Sequence, residues 1–78
     1  MSIPPPSLTK SFCDRLRLAR VAAGYRTTRE FSDKHEIAYN TYYCHETGRR
    51  TPNLDDIAKY AELLGVRKYW LAFGEGPQ

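Results

Sequence analysis

Thr27 to Gly48 reads TTREFSDKHEIAYNTYYCHETG, and the fold turns on these 22 residues. Thr27 or Thr28 opens a helix that runs through Lys34, with Phe31 inward and acidic Glu30 early, where the helix dipole favours a negative charge. It lasts about two turns before the corner His35-Glu36-Ile37. AYNTYYCHETG then forms another helix, stopped at Gly48. Its spacing separates two faces. Tyr42, His45 and Glu46 form the inward set, whereas Tyr39, Asn40, Tyr43, Cys44 and Thr47 share the opposite face at offsets 0, 1, 4, 5 and 8. That outward face is polar and aromatic.

Upstream, Thr9 or Ser11 caps a helix in which Phe12, Leu16, Ala19 and Ala23 recur at spacings of three and four, the pattern of one buried stripe, and Gly24 ends it. Leu18 and Val21 fall on its far side and read as singly exposed. Residues 1–8 contain Pro4, Pro5 and Pro6 in a row, which favours an extended, flexible leader. Downstream of Gly48, Arg49-Arg50-Thr51-Pro52 is a basic loop, and Asn53 caps a fourth helix with Asp55 and Asp56 in its first turn. Leu54, Ile57, Ala58, Ala61 and Leu64 mark its buried stripe, and Gly65 closes it. Arg67 to Phe73 fits one short fifth helix before Gly74, Gly76 and Pro77 break the chain. Nothing reads as a strand, so the expected class is all-α: one domain over 9–76, the leader 1–8 and a tail 77–78.

Composition narrows the function. Seventy-eight residues hold one small core and exclude a second domain, and 41% hydrophobic with 27% charged residues is the balance of a folded chain. No run approaches the roughly 20 apolar residues of a membrane span, and MSIPPPS lacks the features of a signal peptide, so the cytoplasm is the expected compartment. Cys13 and Cys44 are too few for a disulfide scaffold and read as reduced thiols. The net charge is +3 and the pI near 9.0, with +4 falling on residues 1–30, zero on 31–53 and −1 from 54 onward. Such polarity suits an anionic partner met by one side of the molecule, and equally a solvated basic face.

Cys13, His35, Cys44 and His45 are zinc-type donors, but adjacent Cys44 and His45 diverge by about 100° around one helix and Cys13 lies on the flank of another. No metal site is expected. A Cys–His nucleophile fails by the same geometry, and the chain has no glycine-rich phosphate loop or paired-carboxylate cleft. The expectation is a non-enzyme without cofactor or small-molecule ligand.

Five short helices, the second and third joined by a three-residue corner, form the arrangement in which a helix-turn-helix presents its second helix to a major groove. The Thr27–Gly48 stretch, followed by RRTPNLDDIAKYAELLGV and YWLAFGEG, resembles the helix-turn-helix family of phage repressors and Cro proteins, the xenobiotic-response-element type, over about residues 12–76. Its most specific pieces are Glu46 and Gly48 at the end of the third helix, the capped fourth helix ending Leu64-Gly65-Val66, and the tail from Trp70 to Gly76. The resemblance implies a five-helix lambda-repressor-like domain. It further implies a sequence-specific transcriptional regulator of double-stranded DNA, a repressor acting as a homodimer on an inverted-repeat operator.

Four positions depart from the family: Ser32 replaces a small alanine, Glu36 a corner glycine, Ala38 a capping serine, and His45 an Ile, Leu or Trp. Positive φ at Glu36 and a missing cap at Ala38 cost about 1 kcal/mol each, so a weaker corner is expected.

By the same resemblance Ala38, Tyr39, Asn40, Tyr43 and Cys44 occupy base-reading positions. The Asn40 amide suits adenine, donating to N7 and accepting from N6, or else it caps the third helix. Tyr39 and Tyr43 suit thymine methyls and phosphates, whereas Tyr42 reads as core. Thr28 with its backbone N–H, Thr41, Arg49 and Arg50 are placed for phosphates, flanked by Arg26 and Arg29; the alternative for Arg49 and Arg50 is a solvated loop. Relatives pair the arginine matching Arg20 with the glutamate matching Glu46. They also use the end carrying Tyr69 and Phe73 for dimer contacts, with Trp70 packed in the core. In larger relatives the Gly-Glu-Gly-Pro tail leads to a second domain, so the chain is either a stand-alone regulator or part of a longer one. A reading from another class is a protein-interaction module, antitoxin-like, with weak or no DNA binding.

Overall fold

Three of the helices begin at a side chain that takes up the first free N–H groups. Ser11 Oγ accepts from Asp14 N at 3.2 Å, and Thr27 and Asn53 each form a reciprocal capping box, with Glu30 and Asp56 respectively. The resulting computed structural model describes residues 11–76. The proline-rich leader, Thr9 as an alternative cap, and the 77–78 tail lie outside the described residues. Among the described residues there are five helices and no strand: α1 (Phe12–Ala22), α2 (Thr28–Lys34), α3 (Tyr39–Thr47), α4 (Leu54–Leu64) and α5 (Lys68–Phe73). The all-α class follows the spacing of the sequence. Arg67 stands one residue outside the last helix as its N-cap.

α1 packs against α3 and α5, α2 against α3, and α4 against α5. Between them lie Leu16, Ala19, Phe31, Tyr42, Tyr60, Ala61, Leu64, Trp70 and Leu71. The centre is aromatic. Phe31 sits 4.8 Å from Tyr42 and 6.3 Å from Tyr60 by ring centroids, and Tyr42 meets Tyr60 edge-on at 5.3 Å and 86°. Edge-on rings place a positive rim against a negative face, which adds a directional term to apolar burial.

Three positions differ from the expected stripes. Ala23 is exposed, because α1 ends at Ala22 and the helical spacing has no further turn to carry it. Leu54 is 72% exposed: it is the first residue of α4, on the rim of a groove rather than under α5. Leu18, expected outside, is half-buried and packs on the core, whereas Val21 is exposed as its position predicts.

Arg15 is buried: three residues after Phe12 and four before Ala19, it stands at the edge of the α1 stripe, where its charge needs partners. Its Nε donates to Leu71 O and its Nη2 to Ala72 O, both at 2.9 Å. Carbonyls in the last turn of a helix have no intrahelical donor, so the guanidinium caps α5 and supplies the positive charge its C-terminus favours.

Candidate nucleic-acid interface

The inward residues of α3 fix its orientation. Glu46 accepts from Arg20 Nε at 2.8 Å, from Arg20 Nη2 at 3.4 Å and from the Tyr42 hydroxyl at 2.7 Å, while Arg20 Nη1 donates to Tyr25 O at 2.7 Å. Next to Glu46 in the chain, His45 Nδ1 and the Tyr60 hydroxyl are hydrogen-bonded at 2.7 Å. Burial, together with the adjacent Glu46 carboxylate, pushes the Tyr42 hydroxyl far above its usual range. Burial, reinforced by Asp56, pushes Tyr60 up to about 12. Among the described residues every buried side-chain nitrogen and oxygen has a partner, so the polar atoms under α3 specify one arrangement.

The opposite face of α3 looks outward. Ala38, Asn40, Thr41 and Thr47 are exposed, and Tyr39, Tyr43 and Cys44 are half-buried. No side chain caps α3, whose N-cap is Ala38; the capping alternative for Asn40 has no hydrogen bond behind it. Asn40, Thr41, Tyr43, Cys44, Arg49 and Arg50 line an open groove of about 430 Å³ with no carboxylate in its lining. The backbone N–H groups of Arg49 and Arg50 both donate to Cys44 O, at 2.9 and 3.2 Å, which folds the basic loop back against the end of the helix.

Gly48 makes that fold-back possible for two reasons. Its φ is +83°, and a Cβ there would lie 3.3 Å from Cys13 Sγ, whose thiol reaches His45 O at 3.5 Å. Glycine provides both the left-handed turn and the close approach of α1.

A pair of rings flanked by a cation on each side runs along the same face. The Arg29 guanidinium carbon lies 4.1 Å from the Tyr39 ring centroid, the Tyr39 and Tyr43 rings are stacked at 5.7 Å and 25°, and the Arg49 guanidinium carbon is 5.7 Å from the Tyr43 centroid. Residue spacing within one helix puts Tyr39 and Tyr43 together. It carries no signal for Arg29, which comes from α2, so the sequence did not reveal this stack.

Arg26 and Thr28 lie outside the groove, at the start of α2. Arg26 N and Thr27 N donate to the Glu30 carboxylate at 2.7 and 3.1 Å, so a negative charge already sits at this helix end, beside the Thr28 N–H. At the corner, Glu36 has φ +55°, the only non-glycine residue with positive φ among those described. Ser32 is fully buried, and its hydroxyl donates to Arg29 O at 3.2 Å, so this buried polar atom is satisfied.

A second surface lies between α4 and α5. Tyr69 and Phe73 are 63% and 59% exposed and, with Leu54, border a groove of about 190 Å³ between α4 and α5, which also carries Asp55 and Lys68. Trp70 is buried. Both cysteines are free thiols, and among the described residues no group of three or more His, Cys, Asp or Glu side chains could hold a metal. No described helix is long and apolar enough to cross a membrane. No family model, curated protein or solved structure matches the chain.

Proposed function

We propose that the chain is a sequence-specific double-stranded DNA-binding regulator of the lambda-repressor-like helix-turn-helix type, with α2 and α3 as the two helices of the motif and α3 as the reading helix. One observation carries this reading: the outward face of α3 and the basic loop share a groove lined by two arginines and no carboxylate, on a helix anchored from behind by three inward polar residues. Anchoring matters because base readout needs side chains held in register with the bases. In this reading Asn40 recognises adenine, with Ala38, Tyr39, Tyr43 and Cys44 beside it. Arg49, Arg50 and Thr41 hold phosphates, and Arg26, Thr28 and Arg29 hold the backbone at the start of α2.

One domain reaches a single half-site, so two copies are required for tight specific binding, paired through Tyr69 and Phe73 on an inverted repeat. Repression follows by occlusion of the promoter, in the cytoplasm and without cofactor or catalysis. The exposed Leu54, Tyr69 and Phe73 side chains at the groove between α4 and α5 favour a second reading, a protein-interaction module that touches DNA weakly or never. Binding to random-sequence duplex DNA across a salt series separates the two. Neutralised phosphates release counterions, so affinity that falls steeply with salt supports the first reading, and the absence of duplex binding rejects it. Selection of bound fragments from genomic DNA then yields the operator.

A further inference from the structure

The stack Arg29–Tyr39–Tyr43–Arg49 joins two elements and the loop beyond them, and its chemistry is specific. A guanidinium in water samples many rotamers, and each must be lost when it docks on a phosphate. A ring face restricts that sampling while leaving the charge and the edge N–H donors available, because stacking uses the plane of the guanidinium and not its rim. Three links in series, of 4.1, 5.7 and 5.7 Å, place one such cation at each end of the aromatic pair.

Resting on the DNA-binding reading, we propose that Tyr39 and Tyr43 are positioning residues rather than base readers: their stacked rings hold Arg29 and Arg49 as one preorganised clamp for two backbone phosphates. The tyrosines therefore set affinity for any duplex and leave sequence preference to Asn40. Thr47 supports the arrangement, since its hydroxyl donates to Tyr43 O at 2.7 Å in the turn that leads into Arg49.

The two roles differ in their salt signature. Loss of a ring leaves the cation able to reach its phosphate after paying more rotamer entropy, so affinity falls by one factor at every salt concentration. Loss of the cation removes a counterion-releasing contact and flattens the slope by about one.

The test is a fluorescence-anisotropy salt series on the full chain, with a random-sequence duplex and the selected operator, for Tyr39→Leu, Tyr39→Phe, Tyr43→Leu, Tyr43→Phe and Arg29→Lys. The leucine variants are expected to lose about two- to fivefold on both duplexes with an unchanged slope, and the phenylalanine variants to match the parent. Arg29→Lys keeps the charge without the planar stack and is expected to behave like Tyr39→Leu; it also serves should a leucine variant fail to fold. In the Tyr39→Leu background, Arg29→Lys is expected to add little. Losses confined to the operator would overturn the clamp in favour of base reading by the rings. Equal losses from Phe and Leu variants would overturn it in favour of the hydroxyls, and no loss from any variant would reduce the stack to a surface contact. A parent protein that binds neither duplex overturns the DNA-binding reading itself and the clamp with it.

Discussion

Arg20 and Glu46 are joined by two hydrogen bonds, 2.8 and 3.4 Å long, with both side chains almost wholly withdrawn from solvent. The pair links α1 to α3 across 26 positions of sequence. Desolvation of both ions offsets much of their attraction, so its value lies less in net stability than in the penalty for any arrangement that separates the partners.

Arg20→Ala and Glu46→Ala are each expected to lower stability by about 3–5 kcal/mol, since each leaves a buried charge alone. The double substitution is expected to cost less than the sum. Urea denaturation of the four proteins measures the coupling, and strict additivity would show that the two side chains act separately.

In the proposed reading Asn40 and Arg49 divide the labour of DNA binding. Asn40→Ala is expected to cost about 1–3 kcal/mol on the preferred operator and to spare random DNA, because a bidentate adenine contact exists on one sequence only. Arg49→Ala is expected to weaken both duplexes alike and to flatten the salt slope. Equal losses on both duplexes from Asn40→Ala would remove its reading role, and intact affinity after Arg49→Ala would leave that arginine in solvent.

The start of α3 has no side-chain cap, because Ala38 stands at the N-cap. Ala38→Ser is expected to stabilise the protein by about 1 kcal/mol, a rise in Tm of about 4–8 °C for a domain this small. Differential scanning calorimetry gives the shift directly. An unchanged Tm would mean that the corner holds residue 38, at φ −56° and ψ 126°, outside the reach of a capping hydroxyl.

Alkaline pH should destabilise the fold through its buried tyrosines. Burial first, then the Asp56 charge, raises Tyr60 from its ordinary value of 10.0 to about 12, and Tyr42 is raised further by burial and by Glu46. The native protein keeps protons that the unfolded chain releases above pH 10, so stability is full below that value and falls as pH rises from 10 towards 12. A Tm series through this window is expected to decline steadily in the parent and less steeply in Tyr60→Phe. A flat profile would show that neither hydroxyl is held protonated by its surroundings.

Assembly follows from the exposed end of the molecule. The α4–α5 groove is small, so mostly monomer is expected in solution at micromolar concentration, with pairing completed on DNA and the two α3 helices about 34 Å apart. Sedimentation of the free protein and titration of duplexes bearing one or two half-sites measure both. Phe73→Ser is expected to weaken the two-site duplex and to leave the single half-site unchanged. Equal affinity of the parent for one and two half-sites would eliminate the dimer.

Much of this was legible in the sequence because the relevant signals are local. Asn53 caps where its spacing to the next apolar run predicts, Ser11 and Thr27 are each one of the two caps the sequence offers, and Tyr42, His45 and Glu46 turn inward together; Glu36 takes the positive φ that the resemblance implies at the corner. The misses share a cause. Arg15 donates to two carbonyls 56 and 57 positions away, and Arg29 meets a ring on another helix, so no period within one helix names either partner. Leu54 fails in the opposite sense: periodicity continues to the first residue of α4, but the cover supplied by α5 does not. Tyr60, three residues after Ile57 and four before Leu64, lies on the stripe of its own helix although the expected set omits it; what the spacing does not give is the His45 partner that satisfies its hydroxyl.

Arg15 and Arg20 stand five positions apart on α1 and reach different neighbours, one the terminal carbonyls of α5 and the other the Glu46 carboxylate of α3. Detaching α1 therefore strands acceptors on α3 and on α5 at once, since both clasps run through this one helix. Fraying, which in most small helical domains begins at the first or last helix, has no inexpensive starting point on this side of the protein. The two arginines make the outermost helices part of a single cooperative unit, so the residues that orient the outward face of α3 share the fate of the whole chain rather than that of one segment.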